Sequence, residues 1–214
     1  METDRCQCIH DPLFLLPELL SEFSKIQPDI HFHIWQSDSA DAIEKVIQGA
    51  VDFGLTGSKT DAEDCCFIPF CTDSLVMAAP VTPEYLELAD TLKKEEPVAL
   101  KHFLSHPFIL RANGSGTRKE IDLFLERHQI NLSDLNIVAR MNDLESIKKS
   151  IVSGLGVSIL SARSVKDMER THQLLTFPLE SAAQVRTFYI VYSKNRILKP
   201  YVKQFLKFVE HYYK

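Results

Sequence analysis

The chain has 214 residues, 45% of them hydrophobic and 25% charged, which is typical of a globular protein with a sizeable core. A formal net charge of -5 with scattered basic residues disfavours binding to nucleic-acid phosphates, which needs a clustered basic face. Five cysteines, two of them adjacent, favour reduced thiols over a disulfide framework. With no secretory leader and no apolar run of about 20 residues, we expect a cytoplasmic protein without a membrane partner.

The first half of the chain alternates helical and strand patterns. The predicted elements are a helix at 15–26, a strand at 31–35, a helix at 43–50 and strands at 51–55, 67–69 and 75–79. Ser39 or Asp41 is placed to cap the second helix. The stretch 81–106 is polar and punctuated by prolines, which predicts a surface insertion.

The second half continues this alternation. The predicted elements are a strand at 108–111, a helix at 116–128, a strand at 136–141, a helix at 143–153, a strand at 157–160, a helix at 164–169 and strands at 174–177 and 187–192. Pro200 opens a last amphipathic helix. Alternating strands and helices predict an α/β fold in which helices cover sheets on both faces.

The most informative motif is the turn between the strand at 108–111 and the helix that follows it. A helix start leaves backbone N–H groups without partners and carries a partial positive charge. Gly116 lets the backbone approach a ligand, and the hydroxyls of Ser115 and Thr117 add donors. With the cation of Arg118, this turn suits a small anion. The alternative is that Ser115 or Thr117 only caps the helix and Arg118 is solvated.

Four other residues lie where α/β proteins bind ligands. Thr56 and Gly57 follow a predicted strand, and ligands bind beyond the carboxyl ends of strands, although a simple turn is the alternative. His10 ends the first strand and either donates to an anion or is solvated. Asn142 precedes a predicted helix and is either its N-cap or a ligand contact.

Motifs for catalysis are not found in the chain. There is no GxSxG elbow, HExxH or GxGxxG sequence, and Gly114 and Gly116 are too close together for a P-loop. Cys6 and Cys8 would share one face of a strand, but no CxxC or histidine pair accompanies them. We therefore expect no enzymatic activity, no cofactor and no metal site, and interpret the cysteines as buried, inert thiols.

A series of short motifs runs along nearly the whole chain. The motifs are LLP at 15–17, PDI at 28–30, GAVDFGL at 49–55, PFILR at 107–111, GSGTR at 114–118, GLGVSIL at 154–160 and FYIVYS at 188–193. In this order they resemble the effector-binding domain of LysR-type transcriptional regulators. One departure is CIHD at 8–11, because the family usually offers small Ser or Thr residues there.

The resemblance implies a fold similar to type 2 periplasmic binding proteins. In that fold two αβ lobes with central sheets are joined by two crossover strands, and a small effector binds in the cleft between the lobes. We expect lobe I at 1–76 and 179–214 and lobe II at 77–178. The strand at 75–80 would cross into lobe II, and the strand at about 185–192 would return.

The resemblance also implies a role in transcription regulation. A small, anionic effector would favour one hinge angle, and a homodimer or tetramer would transmit the change to DNA-reading domains. Dimers of the family would use the first helix and the strand bearing Trp35. Because the family's winged helix-turn-helix is missing, this chain would act on DNA only through a domain it does not contain. The alternative is a transport solute-binding protein, which the missing leader and free cysteines disfavour.

Overall fold

The computed structural model describes residues 15–92, 97–180 and 185–213 in full and residues 5–10 as backbone. The strands are β1 (Arg5–His10), β2 (His31–Gln36), β3 (Phe53–Thr56), β4 (Cys65–Pro80), β5 (Phe108–Arg111), β6 (Ile137–Met141), β7 (Ser158–Ser161), β8 (Leu174–Pro178) and β9 (Val185–Ser193). The helices are α1 (Leu16–Ile26), α2 (Ser39–Gln48), α3 (Pro83–Thr91), α4 (Gly116–Arg127), α5 (Leu144–Val152), α6 (Ala162–Arg170) and α7 (Pro200–Tyr212). Of the helices found in these ranges, none has the length and apolar character to cross a membrane.

The chain forms two compact units. Unit 1 consists of Met1–Thr72, Gly114–Gly116 and Thr187–Lys214, and unit 2 of Asp73–Asn113 and Thr117–Arg186. The chain therefore passes from one unit to the other within β4, on both sides of the short segment Gly114–Gly116, and within β9. The lobe boundaries at 76 and 178 stay predictions.

Unit 1 is built on parallel pairing of β1 with β2 and with β3, and β3 pairs antiparallel with β9. Helix α1 places Leu16, Leu19 and Phe23 on one buried face, because residues three and four positions apart share a side of a helix. That face packs in the same core as Phe205 of α7. The observed helices α1 and α7 confirm both predictions, which rested on a helical period of apolar residues and on the proline that begins α7.

Unit 2 contains antiparallel pairs of β4 with β7 and β8, and a parallel pair of β5 with β6. Its core includes Phe108 of β5, Ile121 of α4 and Phe177 of β8. The alternation of elements in both units confirms the predicted α/β class.

The stretch 81–106 is not the surface insertion that its polarity predicted. It forms α3 and a 3₁₀ turn at Leu100–Phe103. Tyr85 and Phe103 are buried in the core of unit 2 and stack on one another. The helix agrees with the helical spacing of Tyr85, Leu88 and Leu92, which pack in this core, but the polar residues around them led to the wrong prediction of a surface insertion.

Strand β4 corrects a second prediction. The strands expected at 67–69 and 75–79 are one continuous element of 16 residues. The polar residues Thr72, Asp73 and Ser74 between them indicated a break. Asp73 is buried instead, since its carboxylate pairs with Arg186, so its polarity does not end the strand.

Candidate functional site

The segment Gly114–Gly116 packs against the start of α2 within unit 1. The amide of Ala40 donates a hydrogen bond to the carbonyl of Gly114, with the two atoms 3.4 Å apart. Gly114 has a φ of +93°, and a Cβ at this position would lie 2.6 Å from Oδ2 of Asp38. Both the backbone angle and this close approach require glycine at the position.

Gly116 brings the start of α4 against the end of β3. A Cβ on Gly116 would lie 2.8 Å from the carbonyl carbon of Gly57 and 3.0 Å from Oγ of Ser39. Ser39 Oγ in turn accepts a hydrogen bond from the Gly57 amide at 3.1 Å. The predicted site residues Gly57 and Gly116 therefore lie side by side, although 59 positions separate them in the printed sequence.

Thr56, at the end of β3, is completely buried. Its hydroxyl donates to the carbonyl of Ser58 at 3.0 Å, which closes the turn after the strand. This contact agrees with the simple-turn interpretation, in which the hydroxyl stabilises local backbone. The predicted ligand contact of Thr56 stays a prediction.

Ser115 is the polar residue of this region whose hydrogen-bonding capacity is unused. Its side chain is 2% exposed. Within the part of the chain that the structure describes, its Oγ has no hydrogen-bond partner. Leaving a buried hydroxyl without a partner costs about 1–3 kcal/mol. The hydroxyl therefore does not cap α4 through a side-chain bond, and it lies buried immediately before the first residue of the helix.

Thr117 and Arg118 belong to unit 2, and both side chains have partners inside the protein. Thr117 Oγ1 accepts a hydrogen bond from Nη1 of Arg186 at 2.9 Å. Arg118 Nε donates to Oδ1 of Asp122 at 2.8 Å, and its Nη1 donates to the carbonyl of Arg111 at 3.3 Å. Arg118 is only 8% exposed, so the alternative that it is solvated is wrong.

Two other predicted residues follow strands: His10 ends β1, and Asn142 follows Met141, whose carbonyl accepts a hydrogen bond from the Ala112 amide at 2.9 Å. The side chain of His10 lies outside the described residues. Asn142 is exposed in the turn after β6. The N-cap of α5 is Asp143, whose carboxylate accepts from the Ser146 amide at 2.7 Å, so the prediction that Asn142 is the cap is wrong.

The caps of α2 and α5 are both carboxylates. The N-cap of α2 is Asp38, which accepts from the Asp41 amide at 3.0 Å, rather than the predicted Ser39 or Asp41. The hydrogen bond from the Ser146 hydroxyl is the main cause that lowers the pKa of Asp143, with the Ser146 amide contributing next. The Asp38 carboxylate places a negative charge at the start of α2 and also lies beside Gly114, two residues before α4.

The thiols and other potential metal ligands give no second site. Cys65 and Cys71 are buried and unbridged, as predicted, and burial raises the pKa of Cys65, whereas Cys66 is only half-buried, so the prediction of burial is wrong for that thiol. Cys6 and Cys8 have side chains outside the described residues. Over residues 15–92, 97–180 and 185–213, no three side chains of His, Cys, Asp or Glu gather as metal ligands would.

Sequence reasoning missed three residues that the structure places at or beside the site. Ser39 was considered only as a cap, and its contact with Gly57 joins residues 18 positions apart. Asp73 and Arg186 are separated by 113 positions. The sequence offered little signal for this pair, because Asp73 lies between two predicted strands and was interpreted as part of a break.

Comparison with protein families identifies the chain's relatives. The family model "LysR substrate binding domain" matches residues 10–214. The chain is 26% identical over 198 residues to the uncharacterized HTH-type transcriptional regulator YeiE of Escherichia coli K12, covering 92% of this chain and 64% of YeiE. It is 25% identical over 196 residues to the HTH-type transcriptional activator CmpR of Synechocystis, covering 92% of this chain and 61% of CmpR. The chain thus spans less than two thirds of these regulators.

Solved structures show the same fold. The CcmR regulatory domain of Synechocystis PCC6803 in complex with 2-PG superposes with a TM-score of 0.84 at 20% identity, over 99% of this chain and 98% of that one. The effector-binding domain of QuiR in complex with shikimate gives a TM-score of 0.82 at 19% identity, with the same coverage. These likenesses confirm the predicted type 2 periplasmic-binding-protein-like class. Since the family model spans nearly the whole sequence, the chain belongs to the LysR substrate-binding domain family.

Proposed function

We propose that this chain is the sensing part of a LysR-type transcriptional regulator and binds a small anion at the start of α4. The relatives YeiE and CmpR are HTH-type regulators of which the chain matches only a part, as expected for one domain of a longer protein. The family match also favours this function over the transport alternative. The observation that carries the proposed anion site is the buried Ser115 hydroxyl without a partner.

The chemistry of the α4 start favours a negative ligand. The first backbone amides of a helix lack intrahelical partners and carry the positive end of the helix dipole. Ser115 adds a hydroxyl donor directly before these amides. A carboxylate or phosphate oxygen that accepted from this group would satisfy donors that are otherwise costly to bury.

Thr117 contributes in a defined way. Its oxygen accepts from the guanidinium of Arg186, and a hydroxyl that accepts one bond can still donate its own hydrogen to another acceptor. We therefore assign Thr117 as a second donor to the anion. Arg118 acts through its charge rather than by direct contact, since its donors bind Asp122 and the Arg111 carbonyl. Benzoate, shikimate and 2-PG, which are bound in structures of similar domains, are the class of molecule we expect.

The response to the ligand follows from differential binding. A ligand changes a conformational equilibrium only by its difference in affinity for the two states, typically about 1–3 kcal/mol of coupling. The regulator would act as a homodimer or tetramer in the cytoplasm, with DNA contacted by a domain outside this chain. Strand β2 lies at the edge of its sheet, and its exposed residues Ile34 and Trp35, each 42% exposed, mark the surface we assign to the dimer.

A thermal-shift panel tests the anion site. Sulfate, phosphate, benzoate and shikimate are added separately to the wild type, Ser115→Ala and Ser161→Ala. We expect at least one anion to raise the Tm of the wild type, because binding to the native state stabilises it. Ser115→Ala should lose that rise. Ser161 is the buried N-cap of α6, so Ser161→Ala should lower the Tm but keep the rise.

Two results would contradict the proposal. A rise in Tm that is as large in Ser115→Ala as in the wild type would move the ligand away from the start of α4. A wild type that responds to none of the four anions would reject this class of effector for the domain.

A further inference from the structure

A buried network in unit 2 joins three of the four residues at which the chain enters or leaves that unit. Asp73 is its first residue, Arg186 its last, and Thr117 the residue at which the chain returns after Gly114–Gly116. Nε of Arg186 donates to Oδ2 of Asp73 at 3.0 Å, and Nη1 donates to Oγ1 of Thr117 at 2.9 Å. One guanidinium thus links β4, β9 and the first turn of α4.

Burial makes this link restrictive. The side chains of Arg186 and Asp73 are 4% and 0% exposed. Removing one member of a buried pair leaves the other charge without compensation, so the two strands are held together where they carry these residues. The planar guanidinium holds its donors in a fixed fork, so the position of Asp73 constrains the position of Thr117. The second carboxylate oxygen of Asp73 also accepts a hydrogen bond from the amide of Arg163 in the first turn of α6, with the two atoms 3.5 Å apart.

We propose that Arg186 is a positioning residue that couples the start of α4 to β4 and β9. Because both residues bind the same guanidinium, a displacement of Thr117 shifts Asp73, and a displacement of Asp73 shifts Thr117. The consequence for sensing rests on the proposed function, because it is there that a ligand contacts the first turn of α4. The coupling itself is a property of the unliganded domain and is tested without ligand.

Amide hydrogen exchange on the unliganded protein measures the coupling. In Asp73→Asn, we expect exchange at Lys119, Glu120 and Ile121 to speed by about tenfold beyond any change at Ile109 and Leu110, which report on unit 2 as a whole. The matched control is Asp167→Asn, which removes an exposed pair with Arg170 in α6. It should change exchange in α4 by less than about threefold.

The reverse arm uses Thr117→Val, which removes the acceptor and nearly keeps the volume. We expect faster exchange at Ser74, Leu75 and Arg186, again relative to Ile109 and Leu110. The double variant Asp73→Asn/Thr117→Val should exchange at Lys119–Ile121 no faster than the faster single variant, because both changes cut the same link.

Two results would overturn the coupling. In the first, exchange in α4 changes no more in Asp73→Asn than in Asp167→Asn. In the second, the effects of the two single substitutions add in the double variant. If Asp73→Asn does not fold, the Thr117→Val arm decides alone, and unchanged exchange at Ser74, Leu75 and Arg186 rejects the proposal. The exchange results do not depend on whether any anion raises the Tm. In the same way, an absence of coupling would not contradict the proposed anion site.

Discussion

The start of α4 differs from the starts of α2, α5 and α6. Each of those three begins with a side chain that accepts a hydrogen bond from the first turn: Asp38 from the Asp41 amide, Asp143 from the Ser146 amide and Ser161 from the Ser164 amide. Helix α4 begins after Ser115, whose buried hydroxyl makes no such bond with the described residues, and the buried Thr82 hydroxyl at the start of α3 likewise has no partner among them. All of these residues are good N-caps by type, so the difference does not come from composition.

The contrast separates polar groups that stabilise the fold from polar groups that do not. A cap that is satisfied within the chain stabilises a helix and leaves little for a ligand. A buried hydroxyl that the chain does not satisfy costs stability. The following variants test whether α4 differs from α2, α5 and α6 in this way.

The largest effect is expected from the tight approach of Gly114 to the cap of α2. Gly114→Ala places a Cβ 2.6 Å from Asp38 Oδ2 at a φ of +93°. Strain and overpacking together should lower the free energy of unfolding by about 2–4 kcal/mol, measured by urea denaturation.

Gly154 provides a matched control for that variant. Its φ is +82°, and an added Cβ would have no atom within 4 Å among the described residues. Gly154→Ala should therefore cost only the strain, about 1–2 kcal/mol. Equal losses in the two variants would show that the approach to Asp38 does not matter.

Next in size is the loss of a satisfied cap. Ser161→Ala removes the side chain that accepts from the Ser164 amide at 3.3 Å. We expect the free energy of unfolding to fall by about 1 kcal/mol in urea denaturation, since the amide loses its partner. A loss near zero would remove the contrast with α4.

The carboxylate cap of α5 should give a smaller effect that depends on pH. The folded pKa of Asp143 is lowered, chiefly by the hydroxyl of Ser146, so its contribution is present above the unfolded pKa of about 3.9 and is lost as pH falls through the folded value. Asp143→Ala should therefore cost about 0.5–1 kcal/mol near neutral pH, because the residue is exposed.

Urea denaturation between about pH 6 and about pH 3 checks this dependence. The difference in unfolding free energy between the wild type and Asp143→Ala should narrow as the pH falls. A difference that stays constant over this range would show that the ionised carboxylate is not what stabilises the helix start.

The smallest effect on stability is expected at Ser115. Since its hydroxyl has no partner to lose, Ser115→Ala should change the free energy of unfolding by less than about 0.5 kcal/mol or raise it. Urea denaturation beside Ser161→Ala measures the contrast. A loss of about 1 kcal/mol would mean that Ser115 is an ordinary cap and would weaken the case for a ligand there.

Local patterns in the sequence predicted most elements. The bounds of α1, β2, β5 and α4 agree with the prediction within about two residues, because helical and strand periods depend on neighbours a few positions away. The continuous β4 was not predictable in this way, because Asp73 is accommodated by a partner far along the chain. In 81–106, Tyr85, Leu88 and Leu92 have helical spacing, but the polar residues around them do not indicate that they pack in a core.

The sequence by itself determined the strand, turn and helix around Ser115, because glycine, hydroxyl and helix-period signals all lie within a few residues of one another. Only the tertiary structure decided how the hydroxyls there are used. Thr117 meets a guanidinium 69 positions away, whereas Ser115 is buried with its hydroxyl unused by the described residues. Side-chain partners at such distances are selected by packing, which no local pattern encodes.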